Sequence, residues 1–212
     1  MIVYLLFSTS HASDFQSLYE EAGWEHVGTS KTKEGTVTLR FKVISKTPCV
    51  QGSITVDTPA SVLYEVVTDI PAIKKFSSET FVAAELLSEN ATHLEYYQHL
   101  DTPNWTFAAD RFWVLRAQKI AQKHTLGIQW DRFEWKEKYP DLAKRIGTKP
   151  IEPVMNFGAW IFQEENQKTL VKYYICSDPG GNIPYWIKKK AAKTTLPGTV
   201  ADVMREGRRR RP

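Results

Sequence analysis

The stretch Val171–Arg205, VKYYICSDPGGNIPYWIKKKAAKTTLPGTVADVMR, decides the fold. Val171 to Cys176 is a β-branched and aromatic run that suits a strand, and Asp178-Pro179-Gly180-Gly181 ends it with residues that fix or free φ. Asn182 can then cap a helix through its side-chain oxygen, and Pro184 suits the first turn because the N–H it lacks would be unpaired there anyway. On a 3.6-residue period Ile183, Ile187, Ala191 and Thr194 share one face, with Lys188, Lys189 and Lys193 mostly pointing away. Leu196, Val200 and Val203 project about half a turn round from that stripe on a straight helix. This predicts a kink at Pro197, whose ring clashes with the preceding turn.

Upstream, the pattern is sheet, helix, then sheet again. Ser13 to Ala22 reads as a helix, with Phe15, Leu18 and Tyr19 on one face. Trp24 to Thr29, Thr36 to Ile44 and Val50 to Asp57 read as strands, with clear alternation at Val37, Leu39, Phe41 and Val43. Ala60 to Asp69 is a second helix opened by Pro59, and Pro71 starts a further turn to Phe76. Four more strands are predicted at Thr80–Ser88, Thr92–Asp101, Asp110–Ala121 and Thr125–Phe133, as consecutive hairpins. A charged loop with a short helix at Asp141–Ile146 separates them from strands at Gly158–Gln163 and Thr169–Cys176.

At 212 residues the chain suits one domain, and 42% hydrophobic residues with seven Trp, nine Tyr and ten Phe supply a core. A net charge of +4 does not demand a nucleic-acid partner, and the cations lack the interleaved aromatic platform that RNA-binding surfaces use. They concentrate in Lys188–Lys190, Lys193 and Arg208–Arg211, so residues 207–212 read as a basic tail. That tail either solubilises the chain or makes transient contact with an anionic membrane surface, at about 1 kcal/mol per cation. Cys49 and Cys176 permit at most one disulfide; lying in strand-like runs, they read as ordinary buried thiols, and no metal site is expected without a CxxC or Cys/His cluster. Residues 1–12 read either as a signal peptide whose start lies upstream or as an uncleaved N-terminal strand or helix. The first reading implies a periplasmic or secreted protein and the second a cytoplasmic one; the Ile2–Phe7 run is far below the about 20 apolar residues needed to span a bilayer. Asn90-Ala91-Thr92 and Asn104-Trp105-Thr106 are formal glycosylation sequons, meaningful only in a eukaryotic secretory pathway.

P-loop, GxSxG, HExxH and Rossmann glycine motifs are absent from the sequence. Period 2 places His93, Glu95, Tyr97, His99 and Asp101 on one face of a strand and Leu94, Tyr96 and Leu100 on the other. The polar face is either solvated or a functional wall. Trp130, Trp160 and Tyr174 are candidates to line a cavity as well as ordinary core, and the small Ala191 and Thr194 beside Ile187 would leave room beneath the last helix.

The string S-D-P-G-G-x-I-P-x-W-I, with a proline inside the following helix and a closing M-R, resembles the C-terminal signature of START domains, the StAR-related lipid-transfer family. The resemblance is specific over Val171–Arg205, moderate over Asp110–Arg116 and architectural elsewhere. It implies an α+β helix-grip fold over residues 13–206: a curved antiparallel β-sheet wrapped around a long C-terminal α-helix, with an internal hydrophobic cavity. Asp110-Arg111-Phe112-Trp113-Val114-Leu115-Arg116 resembles the family's arginine-aspartate-aromatic run, with the first two residues reversed. The resemblance implies that Arg116 lies in the cavity paired with an acid of the preceding strand, Glu95 or else Asp101, and that Phe112 and Val114 line the same wall. The function implied is non-enzymatic binding, transfer or sensing of a lipid or sterol by a monomer that needs no cofactor. An alternative is a polyketide cyclase or aromatase on the same fold, with Arg116, His99 or Tyr97 as acid or base. A third reading is an interaction module acting through the basic tail.

Overall fold

β-Branched and aromatic residues at alternate positions build β1 (Glu25–Thr32), β2 (Gly35–Ile44), β3 (Thr47–Val56), β4 (Phe81–Glu89), β5 (His93–Leu100), β6 (Arg111–Gln122), β7 (Thr125–Arg132), β8 (Met155–Glu165) and β9 (Lys168–Asp178). The computed structural model describes residues 11–102, 109–178 and 185–211, with side chains in 14–102, 109–178 and 194–211. The predicted Pro179–Pro184 turn and cap, the sequon at Asn104, and residues 1–10 of the predicted 1–12 leader or extension therefore lie outside the described residues, while His11 and Ala12 belong to the first helix. The nine strands form one antiparallel sheet in the order β1-β2-β3-β9-β8-β7-β6-β5-β4. Every pairing follows the chain except β3 with β9, which carries the ladder from the first three strands to the last.

The helices are α1 (His11–Tyr19), α2 (Ala60–Thr68), α3 (Ile73–Phe76, preceded by a 3₁₀ turn at Ile70–Ala72), α4 (Pro140–Ile146) and α5 (Tyr185–Arg210). The curved sheet grips α5 and α2. Leu196, Val200, Val203 and Met204 of α5 and Leu63, Val66 and Val67 of α2 are buried with Val37, Leu39, Val50, Ile54, Phe162 and Val171 in the main core. Gly52 is what lets α5 seat so closely, since a Cβ there would stand 2.2 Å from Leu196 Cδ2. α5 is continuous across Pro197.

The opposite face of the sheet is also covered, in two places. α1 lays Phe15 and Leu18 over Phe157, Tyr174 and the β3–β9 junction. Tyr19 packs edge-on to Tyr174 with ring centroids 5.8 Å apart and donates its hydroxyl to Gln129 Oε1 at 2.8 Å. At the other end Trp135 and Leu142, from the β7–β8 connection that holds α4, cover Tyr97, Phe112 and Val114.

The structure overturns one sequence expectation and adds partners to another segment. Cys49 and Cys176 are not thiols but a disulfide: β3 and β9 place them directly opposite, with Cα atoms 4.1 Å apart. Their 127-residue separation has no local spacing to betray it, because the bridge exists only once β3 meets β9. The predicted tail at 207–212 is helix as far as Arg210. Three of its four arginines pair with acids: Arg208 with Glu34, Arg209 with Glu206 at 2.7 Å, and Arg210 with both Glu206 at 2.8 Å and Asp69 at 2.9 Å.

Glu206 is buried, and hydrogen bonds from Arg209 first and Arg210 next outweigh that burial, bringing its pKa down to about 2. The folded value lies below the ordinary value of about 4.3, so the stabilisation is complete above that value and is lost as pH falls toward the folded one. The unfolding midpoints of the wild type and Glu206→Gln are therefore expected to differ at neutral pH and to converge as pH drops from about 4.3 to about 2. A gap of constant size across that window would contradict the assignment.

Candidate ligand pocket

Between the concave face of the sheet and the α2–α3–α5 layer lies a pocket of about 300 Å³, at the lower end of the about 300–1,000 Å³ usual for small-molecule sites. Cross-strand register decides which side chains reach it. Gly52 faces α5 and lies opposite Tyr173, Tyr173 lies opposite Trp160, Trp160 opposite Ile128, and Trp130 opposite both Gly158 and Ala117. Continuing across, Leu115 pairs with Tyr96 and Trp113 with Gln98. The result is a strongly aromatic floor. Trp160 stacks on Tyr173 at 4.1 Å between centroids, and Trp130 lies 6.0 Å from Tyr173. Gly158 makes room for this stack, because a Cβ there would meet the Trp130 ring at 2.5 Å.

Polar groups in the pocket are few. Trp130 Nε1 donates to Asn156 Oδ1 at 3.0 Å. Trp113 also lines the pocket, and its Nε1–H is buried without an acceptor. Burial pushes the Tyr96 and Tyr173 hydroxyls well above the ordinary phenol range, each reinforced by a neighbour: Tyr173 acts on Tyr96, and the charge of Glu79 acts on Tyr173. Both remain neutral hydroxyls at any physiological pH. Asp69, Glu79 and Asp202, with Thr195 and Thr199, line the helical side.

Of the residues singled out in the sequence, Trp130 and Trp160 lie in this pocket. Tyr174 is one position out of phase and packs under α1 on the other face, while its neighbour Tyr173 turns inward. Thr194 is exposed, and Thr195 takes the inward place; the side chains of Ile187 and Ala191 lie outside the described residues.

Glu95, Tyr97, His99, Phe112, Val114 and Arg116 share the face opposite the pocket, because the wall is built by Tyr96, Gln98, Leu100, Trp113 and Leu115 between them. The Glu95–Arg116 ion pair is formed there, with Arg116 Nε donating to Glu95 Oε1 at 2.9 Å. Glu95 is fully buried and also accepts from Lys138 Nζ at 2.7 Å and the Tyr139 hydroxyl at 2.5 Å, while Arg116 stacks over Phe133 at 4.6 Å. Burial alone would raise the Glu95 pKa, but the hydrogen bonds from Lys138, Tyr139 and Arg116 together hold it below the usual carboxylate range. The carboxylate thus fastens the segment before α4 to the outside of the sheet. Beside it, the Tyr97 hydroxyl contacts His99 Nδ1 at 3.2 Å, and His99 Nε2 contacts Asp110 Oδ2 at 3.1 Å. Asp110 is held below its ordinary pKa first by the Thr102 backbone N–H and then by His99.

Tyr96, Gln98, Trp113, Leu115, Tyr173 and Glu79 were missed as pocket residues. The signal available for two of the strands was Gly52 between Val50 and Ile54, since a glycine on an apolar strand face marks where another element approaches. Among the described residues no group of three His, Cys, Asp or Glu is placed to hold a metal ion, and no helix is long and apolar enough to cross a membrane.

No protein-family model matches the sequence, and no curated protein is similar to it in sequence. Solved structures do match. Human STARD10 superposes with a TM-score of 0.75 at 15% identity, covering 98% of this chain and 82% of that one. Human StAR-related lipid transfer protein 5 does so with a TM-score of 0.74 at 12% identity, covering 94% and 93%. The ZhuI aromatase/cyclase of Streptomyces sp. R1128 matches with a TM-score of 0.56 at 17% identity, covering 77% and 95%. The chain therefore has the helix-grip α+β fold of START domains, a curved antiparallel sheet closed by a long C-terminal helix.

Proposed function

We propose that the chain is a START-type carrier that encloses one lipid or sterol-like ligand between the sheet and α5 and shields it from water. The observation that carries this reading is the aromatic pocket itself: Trp113, Trp130, Trp160, Tyr96 and Tyr173 converge beneath the α2–α3–α5 layer. Burial of an apolar ligand against these rings would yield about 25 cal/mol per Å². The unpaired Trp113 Nε1–H offers a donor to one ligand oxygen, which would orient the molecule. Lipid-transfer proteins among the structural neighbours support the same reading.

Catalysis as in a cyclase would need two titratable groups converging on one ligand atom. The Tyr97–His99–Asp110 chain lies on the face of the sheet opposite the pocket, and the pocket's own Tyr96 and Tyr173 are held neutral by burial. Loading and release would require α5 or α3 to swing, as they form the wall that is not sheet. Native mass spectrometry of the freshly purified protein, followed by organic extraction, tests the proposal: one apolar molecule per chain is expected. A protein that is empty and takes up no lipid would contradict it.

A further inference from the structure

We propose that the pocket discriminates by charge, taking amphiphiles whose polar end is an uncharged oxygen group and rejecting anionic ones, with Glu79 as the residue that sets the preference. This rests on the binding reading above. Among the described pocket-lining residues the acidic and basic side chains are Asp69, Glu79 and Asp202, all acids; no Lys, Arg or His joins them. Two of the three are satisfied. Asp69 meets Arg210 at 2.9 Å, and Asp202 takes Arg205 at 2.7 Å together with the Ser78 N–H at 2.5 Å and its hydroxyl at 2.7 Å.

Glu79 has no cationic partner among the described residues. Its backbone N–H is held by Ser77 Oγ at 3.0 Å, which fixes it at the helical side of the pocket, and its charge is felt at the buried Tyr173 hydroxyl. The cations of the Glu95 clamp, Arg116 and Lys138, lie across the sheet and cannot neutralise an anion inside. A carboxylate or phosphate head entering the pocket would give up its hydration, meet the Glu79 carboxylate and find no counter-cation among the described lining residues. An alcohol, ester or ketone loses far less on entry and can accept from Trp113 Nε1–H.

Three probes of equal chain length separate the possibilities: tetradecanol, tetradecanoate and tetradecylammonium, titrated into the full chain at mildly alkaline pH and low salt. Quenching of tryptophan fluorescence reports binding, since Trp113, Trp130 and Trp160 line the pocket. Tetradecanol is expected to bind at least about tenfold more tightly than tetradecanoate. Glu79→Gln should shrink that ratio to about twofold and at the same time weaken the ammonium probe. Opposite shifts for the two charged probes cannot come from damage to the fold. Equal affinity for alcohol and carboxylate in the wild type, or a ratio unchanged by Glu79→Gln, overturns charge selection while leaving the carrier reading standing. Failure of all three probes to bind overturns the carrier reading and this proposal with it.

Discussion

Replacing Cys49 and Cys176 together by alanine is expected to lower the unfolding midpoint by about 10 °C. The bridge ties residues 127 positions apart, so its loss frees a very long loop in the unfolded chain, worth about 5 kcal/mol in the chain-entropy view and about 2–5 kcal/mol in practice. For a domain of this size each kcal/mol moves the midpoint by about 2–4 °C. Both sulfurs are buried beneath α1, among Phe15, Phe157 and Tyr174, so truncation also leaves a small void. Calorimetry with and without a reductant checks the origin of the effect. Reductant should shift the wild type toward the variant and leave the variant where it is; equal midpoints for wild type and variant would show that the bridge contributes nothing.

Gly52→Val is the second large effect expected, this time at the contact that seats the helix. Even the first added carbon would lie 2.2 Å from Leu196 Cδ2, with Val37 Cγ1 at 3.3 Å and Val200 Cγ2 at 3.4 Å, so no rotamer of the strand residue relieves it. α5 must move outward or Leu196 must leave its site, at a cost of about 1–3 kcal/mol or more. Because Thr195, Thr199 and Val203 of the same helix wall the pocket, ligand affinity should fall with stability. A double variant with Leu196→Ala tests the mechanism: it should recover part of the loss, a coupling expected only if the two side chains compete for one space. Purely additive losses would place the damage elsewhere.

The architecture was legible because strand and helix periods differ. Alternation in β2 and the Leu196-Val200-Val203 spacing each report local geometry, and the nine strands emerged close to their observed bounds, while α5 runs on to Arg210. The Val171–Arg205 signature tied them to one architecture. The pocket was less legible, for a reason visible in β5. Period 2 says that Glu95, Tyr97 and His99 share a face, but not which face is concave.

The polar face of β5 invited a functional reading. It is polar because it holds the clamp for Lys138, Tyr139 and Arg116 and the Tyr97–His99–Asp110 chain, with Tyr97 covered by the connection that carries α4. An inserted segment that buries the outside of a sheet removes the usual contrast between core-facing and solvent-facing positions. Tyr174 failed in the same way, since α1 buries the outer face of β9 as thoroughly as α5 buries the inner one. The partners of the basic tail were hidden for a different reason. A run of arginines gives no sign that Glu34 and Asp69, from distant segments, and Glu206, one turn back on the same helix, pair with it.

The most direct test of where the ligand sits is native mass spectrometry on three proteins prepared alike: wild type, Leu115→Trp and Arg116→Leu. Leu115 and Arg116 are neighbours on β6 that point to opposite faces, the first into the pocket and the second over Phe133. An indole at position 115 would fill the space between Tyr96 and Trp130, whereas the change at 116 leaves the pocket untouched. The account predicts one bound apolar molecule in the wild type and in Arg116→Leu, and an empty Leu115→Trp. Loss of the ligand from Arg116→Leu with retention in Leu115→Trp would place the site on the other face of the sheet and contradict it.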